Sequence, residues 1–272
     1  MGYRGAIVDL DGTVYRGGTL VPGALDGVAT LRDRGIDPLF VTNNPTRSPS
    51  AYADRLESLG LDADPDRILS AGSITATYLA EQYPERPTYV IGSPGLREML
   101  DEAGVVRTDD PDAAEVLVTS HDHEFDYDDL TAGLWALEDA TAFVGTDPDL
   151  TYPGGDGRDR PGSGAITGAV ATVARREPDH VLGKPAPETL AVVRERLDCP
   201  LEECLIVGDR LDTDVALGER GGMTTVLVLS GTTTRADLGA DVAPLPGSSA
   251  DLEPDRVIDR FGAIGSVVDD HT

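Results

Sequence analysis

Apolar residues along the chain fall into short runs, separated by polar stretches rich in Asp, Gly and Pro. The short runs, bounded by turn formers, predict strands at Ala6–Leu10, Pro38–Thr42, Ile68–Ser70, Thr88–Ile91, Glu115–Thr119, Thr141–Val144, Leu205–Val207 and Thr225–Leu229. Longer stretches between them predict helices over Ala24–Arg34, Ser50–Leu59, Ile74–Tyr83, Leu96–Ala103, Leu130–Asp139, Ala165–Arg176, Pro187–Leu197 and Asp212–Arg220. Gly35 and Gly60 read as stop signals, and Tyr83 stops before Pro84. The Gly- and Pro-rich stretch Tyr152–Gly164 reads as a loop.

Strand–helix alternation implies an α/β fold, with parallel sheets, helices on their faces and right-handed crossovers. There are too many strands for one small sheet, and the alternation resumes near Val181. The expected architecture is a Rossmann-like, doubly wound parallel-sheet core of residues 1–73 and 181–272, with a smaller α/β unit inserted over 74–180. In such sheets ligands bind beyond the carboxyl ends of the strands, so the residues that follow each apolar run carry the most information.

Composition narrows the partners. The 272 residues carry 49 acidic against 22 basic side chains, a formal charge of −27, and are 40% hydrophobic, enough to bury a core. This charge repels phosphate backbones and anionic lipid, which argues against nucleic acid and membrane surfaces as partners. The acids are spread over the chain, as Asp26, Asp54, Asp101, Asp128, Glu195 and Asp251 illustrate, and aromatics make up only 5%. Distributed acidity of this kind fits adaptation to high salt, where the Debye length shrinks to about 3 Å and self-repulsion is screened. No run is long enough for a membrane span, and the amino-terminal segment lacks the layout of a signal peptide. Two cysteines, Cys199 and Cys204, form no disulfide framework and fit a reducing cytoplasm, with Cys204 read as core.

Four strand ends present groups suited to chemistry. Asp9 and Asp11 end the first run and, two apart on a strand, are expected on one face; two such carboxylates invite a cation. Mg²⁺ suits one or two carboxylates together with substrate phosphate. Gly12 is expected to allow a sharp turn and to leave its amide free for an anion. Thr42, Asn43 and Asn44 place a hydroxyl and two amides at the end of the second strand. Lys184, between Gly183 and Pro185, is the sole lysine among the 22 basic residues, a compact charge kept where arginine is otherwise used. Asp209 follows a fourth apolar run, with Asp212 and Asp214 just beyond as metal ligands or helix caps.

The ordered series Asp9-x-Asp11-Gly12-Thr13, Thr42-Asn43, Lys184-Pro185 and Gly208-Asp209-x4-Asp214 closely resembles the four motifs of the haloacid dehalogenase-like (HAD) superfamily. Val21-Pro22-Gly23-Ala24, Thr42-Asn43-Asn44-Pro45 and Gly208 to Asp214 resemble its NagD-type, 4-nitrophenyl phosphatase branch, whose α/β cap is inserted between the second and third motifs. The resemblance implies a Mg²⁺-dependent phosphomonoester hydrolase. In it Asp9 is the nucleophile that forms an aspartyl-phosphate, and Asp11 is the general acid/base. Gly12, Thr42, Asn43 and Lys184 would hold phosphate. Asp9, Asp11 through its carbonyl, Asp209 and Asp214 would hold the metal. Asp11 favours phosphoryl transfer over dehalogenation, because an alkoxide leaving group needs a proton.

Substrate choice is expected to lie in the cap, at Ser120–His123 with Asp122 and at Thr146–Asp149 with Asp147. Relatives commonly carry Asn where this chain has Asp147, which is read as a solvent-facing product of the acidic composition. His121 and His123 are read as a polar loop rather than a metal pair, and Trp135 as a residue of the core or of a cap–cap contact. A phosphotransferase or mutase, or a non-catalytic phosphometabolite-binding protein, is the alternative. The resemblance further implies a small phosphomonoester as partner and a homodimer formed through the cap.

Overall fold

The computed structural model describes residues 2–154, 158–238 and 252–269. Residues 155–157 of the Tyr152–Gly164 stretch and Asp251 lie outside the described residues. The chain divides into two compact units, one made of Met1–Thr42, Ser50–Leu69 and Lys184–Thr272, the other of Asn43–Pro49 and Ser70–Gly183.

The main sheet has six strands in the order Arg256–Ile258, Thr224–Val228, Cys204–Gly208, Gly5–Val8, Pro38–Thr42, Ile68–Ser70. Gly5–Val8 pairs in parallel with Cys204–Gly208 on one side and Pro38–Thr42 on the other. Going outward from Gly5–Val8, the chain winds one way through Pro38–Thr42 and the other way through Cys204–Gly208, which makes the sheet doubly wound with its switch point beside the opening strand. Its central strands are buried along their whole length, which is why they read as unbroken apolar runs. Ala6, Val8, Phe40, Leu205, Val207 and Val226 pack with Val28, Leu31, Leu56, Phe261 and Ile264 in one core.

The second unit holds a four-stranded sheet in the order His180–Val181, Ala142–Gly145, Val116–Thr119, Thr88–Ile91, with parallel pairing throughout. Period-two alternation splits its side chains between two cores. Val116, Val118 and Val144 pack with Leu79, Leu96 and Leu100, while Leu117 and Phe143 pack with Ala136, Ile166 and Val170.

Several elements differ from the sequence expectation, each for a local reason. The helix expected from Ile74 begins at Ala71, because Ser70 and Ser73 cap each other's backbone amides. The helix expected from Leu130 begins at Tyr127, capped by Asp126. Asp212–Arg220 is not one α-helix: Leu211–Val215 forms a π-helical turn and Ala216–Gly221 the α-helix. Part of the expected Tyr152–Gly164 loop is an antiparallel ribbon of Thr151–Pro153 with Asp159–Pro161, whose backbone pairing overrides the turn-rich composition. Trp135 is 50% exposed rather than core, since its helix buries Gly133, Ala136 and Leu137 instead. The strand Arg256–Ile258 and helix Gly265–Asp269 were not anticipated. Cys204 is buried as expected, with its sulfur 3.3 Å from that of Cys199, and both thiols are free. Among the described residues, no helix is long and apolar enough to cross a membrane.

Candidate active site

The opening strand delivers Asp9 to the carboxyl edge of the sheet. Regular pairing ends at Val8, yet the Asp9 amide still donates to the Val207 carbonyl at 2.9 Å, so its position is fixed by the neighbouring strand. Asp9 is 6% exposed. Asp11 does not share a strand face with it, because the strand has already ended. Asp11 is exposed, and its carboxylate accepts from the Tyr15 hydroxyl at 3.3 Å.

Gly12 turns the chain with φ +93°, but its amide is not free for an anion: it donates to the Tyr15 carbonyl at 2.7 Å. What Gly12 supplies is space, since a β-carbon there would lie 2.4 Å from Asp209 Oδ2. Gly208 meets the same demand beside Asp214, whose carboxyl carbon would sit 2.1 Å from an added β-carbon.

Lys184, 2% exposed, lies among the acids. Its ammonium donates to Asp9 Oδ1 and Asp214 Oδ1, each at 2.6 Å, and to the Val41 carbonyl at 2.8 Å. An ammonium has three hydrogens to share among such acceptors.

Asp214 also accepts from the Arg210 amide at 3.1 Å, so it braces its own loop, while Asp212 pairs with the Arg210 guanidinium at 2.9 Å. Asp209 accepts from the Thr232 amide through Oδ2, and its carbonyl accepts from the Thr233 amide at 3.1 Å.

Carboxylate oxygens of Asp9, Asp209 and Asp214 lie within 4.8 Å of one another. Three buried carboxylates against one ammonium leave an excess of negative charge that water cannot reach. Burial raises the Asp9 carboxyl well above its usual range, with Asp214 and Asp209 pushing the same way and Lys184 opposing. Asp209 is pushed up to about 7, by burial first and then by Asp214. Burial alone would lower the Lys184 ammonium, but Asp214 and Asp9 outweigh it and the net shift is upward. Asp9 Oδ2 is buried without a hydrogen-bond partner. An all-oxygen cluster whose negative charge one ammonium does not balance fits a hard divalent cation such as Mg²⁺. Asp11 adds no carboxylate to this cluster.

Thr42 is buried at the end of Pro38–Thr42. Asn43, which follows it, is also buried, and its side-chain amide donates to Asp149 Oδ1 at 3.3 Å. From the sequence Asp149 is expected only as the end of the Thr146–Asp149 segment, without a partner at Asn43. It also missed the segment after the Thr224–Val228 strand, where Gly231 has no room for a β-carbon beside Asp209 and Ser230 donates to the Gly12 carbonyl at 2.8 Å. Small polar residues at a strand's carboxyl end were the available signal.

In the second unit, half-buried Asp122 accepts from the Glu124 amide at 3.0 Å in a tight turn. His121 and His123 meet edge to face, with their Nε2 atoms 3.4 Å apart, and join no cluster of three or more potential metal ligands among the described residues. Asp147 is not solvent-facing: it is 2% exposed, because it accepts hydrogen bonds from Thr146 and from the Asp149 amide beneath Gly183.

Comparison with known proteins agrees with this geometry. The family model for haloacid dehalogenase-like hydrolases matches residues 6–106, and a second HAD-hydrolase-like model matches residues 181–264. The chain is 32% identical over 250 residues to an acid sugar phosphatase of Staphylococcus epidermidis, covering 92% of this chain and 95% of the relative. It is 34% identical over 240 residues to the 5'-nucleotidase YutF of Bacillus subtilis, covering 88% and 92%. The solved p-nitrophenyl phosphatase of Archaeoglobus fulgidus superposes with a TM-score of 0.88 at 34% identity, covering 98% of this chain and all of the other. The chain belongs to the haloacid dehalogenase-like hydrolases. Within them it is a phosphoric monoester hydrolase of the NagD-type, 4-nitrophenyl phosphatase branch.

Proposed function

We propose that this protein hydrolyses small phosphomonoesters through an aspartyl-phosphate on Asp9, with Mg²⁺ held by Asp9, Asp209, Asp214 and the Asp11 carbonyl. The observation that carries the reading is the state of Asp9: Lys184 secures one carboxylate oxygen, and the other is buried with no partner. A nucleophile needs this combination, oriented through one atom and available through the next. The bound cation would neutralise charge on the carboxylates and the transferring phosphoryl group.

The protein's own groups do the rest. Asp9 Oδ2 attacks phosphorus and the ester oxygen departs. Asp11, exposed and accepting from the Tyr15 hydroxyl, gives that oxygen a proton and later takes one from the attacking water. Lys184, Thr42 and Asn43 face the charge on the equatorial oxygens. The relatives named for sugar phosphates, nucleotides and 4-nitrophenyl phosphate share the phosphomonoester and little else, which supports a phosphate-centred core with substrate choice made in the 74–180 cap. The test is release of phosphate from 4-nitrophenyl phosphate with Mg²⁺. Activity is expected to vanish with EDTA, return with Mg²⁺, and fall to background in Asp9→Asn. Full turnover by Asp9→Asn would overturn the reading.

A further inference from the structure

Between the helix Pro187–Arg196 and the strand Cys204–Gly208 the chain folds back on itself. Pro200 leads into a single 3-10 turn over Leu201–Glu203. The Glu203 amide donates to the Pro200 carbonyl at 3.0 Å, and the Cys204 amide donates to the Leu201 carbonyl. This turn returns Cys204 to Cys199. The two sulfurs lie 3.3 Å apart, and the Cys204 thiol donates to the Pro200 carbonyl, also at 3.3 Å.

The opening strand makes room for the pair. Gly5 is the register partner of Cys204, and a β-carbon on Gly5 would lie 2.6 Å from Cys204 Sγ and 2.9 Å from Cys199 Sγ. The sulfurs thus fill the place where a side chain would stand. They are not equivalent. Cys204 is completely buried, and burial, followed by the Cys199 thiol, pushes its own thiol up to about 12. Cys199 is only partly buried, so a reagent in solvent meets that sulfur first.

We propose that Cys199 and Cys204 form an oxidation site for hydroperoxides, in which Cys199 reacts first and Cys204 closes a disulfide onto it. The Cys199 thiolate attacks a peroxide oxygen and becomes a sulfenic acid. The O–O bond breaks, and the departing alkoxide or hydroxide takes the proton that the thiol released. The Cys204 sulfur then attacks the Cys199 sulfur, the S–O bond breaks, and hydroxide leaves with the Cys204 proton as water. The two thiols have lost two electrons and two protons, and the peroxide has been reduced. Thiol reductants reverse the change by exchange. The sulfurs need only close from 3.3 Å to about 2.0 Å. Closure stops Cys199 short of the sulfinic and sulfonic acids, which thiols do not reverse. The pair stands at the start of the strand whose other end leads to Asp209, and its chemistry does not depend on phosphate hydrolysis.

The test treats the folded, full-length protein, reduced and freed of reductant, with hydrogen peroxide. Free thiols are then alkylated under denaturing conditions. Cleavage at arginine leaves both cysteines in the segment 197–210, whose mass is read. In wild type this segment is expected to be lighter by two hydrogens, closed to alkylation and restored by dithiothreitol. In Cys204→Ser, Cys199 is expected to accumulate sulfenic acid, trapped by dimedone, and then the irreversible acids, at a peroxide dose where wild type shows neither. In Cys199→Ser, Cys204 is expected to remain a thiol. A wild-type segment that stays a dithiol, that reaches sulfinic acid as readily as Cys204→Ser, or that is linked only to a second molecule overturns the proposal. So does oxidation of Cys204 in Cys199→Ser as fast as that of Cys199 in Cys204→Ser. The wild-type mass alone decides whether the disulfide closes, should either serine variant fail to fold.

Discussion

Lys184 shows how one side chain can be both structural and chemical. It is the sole lysine, and its ammonium is divided among two carboxylates and a carbonyl. Removing one partner of a buried ionic cluster typically costs about 3–5 kcal/mol, because the remaining charge keeps its desolvation penalty. Lys184→Met is expected to lose that much stability in urea unfolding of metal-free protein near pH 7, with Mg²⁺ restoring part of it. Arginine is no substitute, since a planar fork does not reproduce three contacts from a point charge. Asp11→Asn is expected to bind Mg²⁺ like wild type by calorimetry while turnover falls about 10²–10⁴-fold, the range for loss of a general acid/base. The cation itself competes with protons. Asp209 sits near 7 without it, so Mg²⁺ affinity should rise from pH 6 to pH 8, and calorimetry at both values checks the sign.

Turns and helix starts set where these side chains point. Gly12→Ala forces a β-carbon against Asp209 at a backbone angle that L-residues rarely adopt, a strain of about 1–3 kcal/mol. Its expected signature is weaker Mg²⁺ binding together with a lower melting temperature. Asp126→Ala, far along the chain from the acids, removes a cap that accepts from both the Asp128 and Asp129 amides; about 1 kcal/mol of stability should go, with kcat/KM unchanged. The same elements show what a sequence can reveal. Buried strands with acids at their ends were readable because parallel strands covered on both faces need apolar runs, and because ligands collect at their carboxyl edge. Helix starts at Ala71 and Tyr127 were not, since the capping side chains lie outside the apolar period that marks a helix. The π-turn at Leu211–Val215 was hidden for a different reason: it carries Asp214, whose contact with Lys184 joins residues 30 positions apart and leaves no local pattern. Asp147 was misread because composition describes the average acid, whereas burial is decided by Thr146, Ser163 and Gly183 around this one.

Charge governs the behaviour of the chain as a whole. The pairs Arg4–Glu203, Arg86–Glu115 and Arg235–Asp259 are largely exposed and add little stability. With 49 acidic side chains against 22 basic ones, repulsion outweighs such pairing at low ionic strength. The melting temperature is therefore expected to climb between about 0.1 M and 2 M KCl, as the screening length drops from about 10 Å towards 3 Å. A melting temperature that falls over this range would mean that ion pairs dominate and that the acidity is no salt adaptation.

Reliance on arginine elsewhere has a practical corollary. The one side-chain amine of the molecule is shut inside the protein, so reagents that acylate lysine find no lysine to attack on the surface of the native fold. Mass-spectrometric timing of acetylation at Lys184 would serve as a built-in clock for opening of the catalytic unit, slowed whenever a cation or a phosphate mimic tightens it.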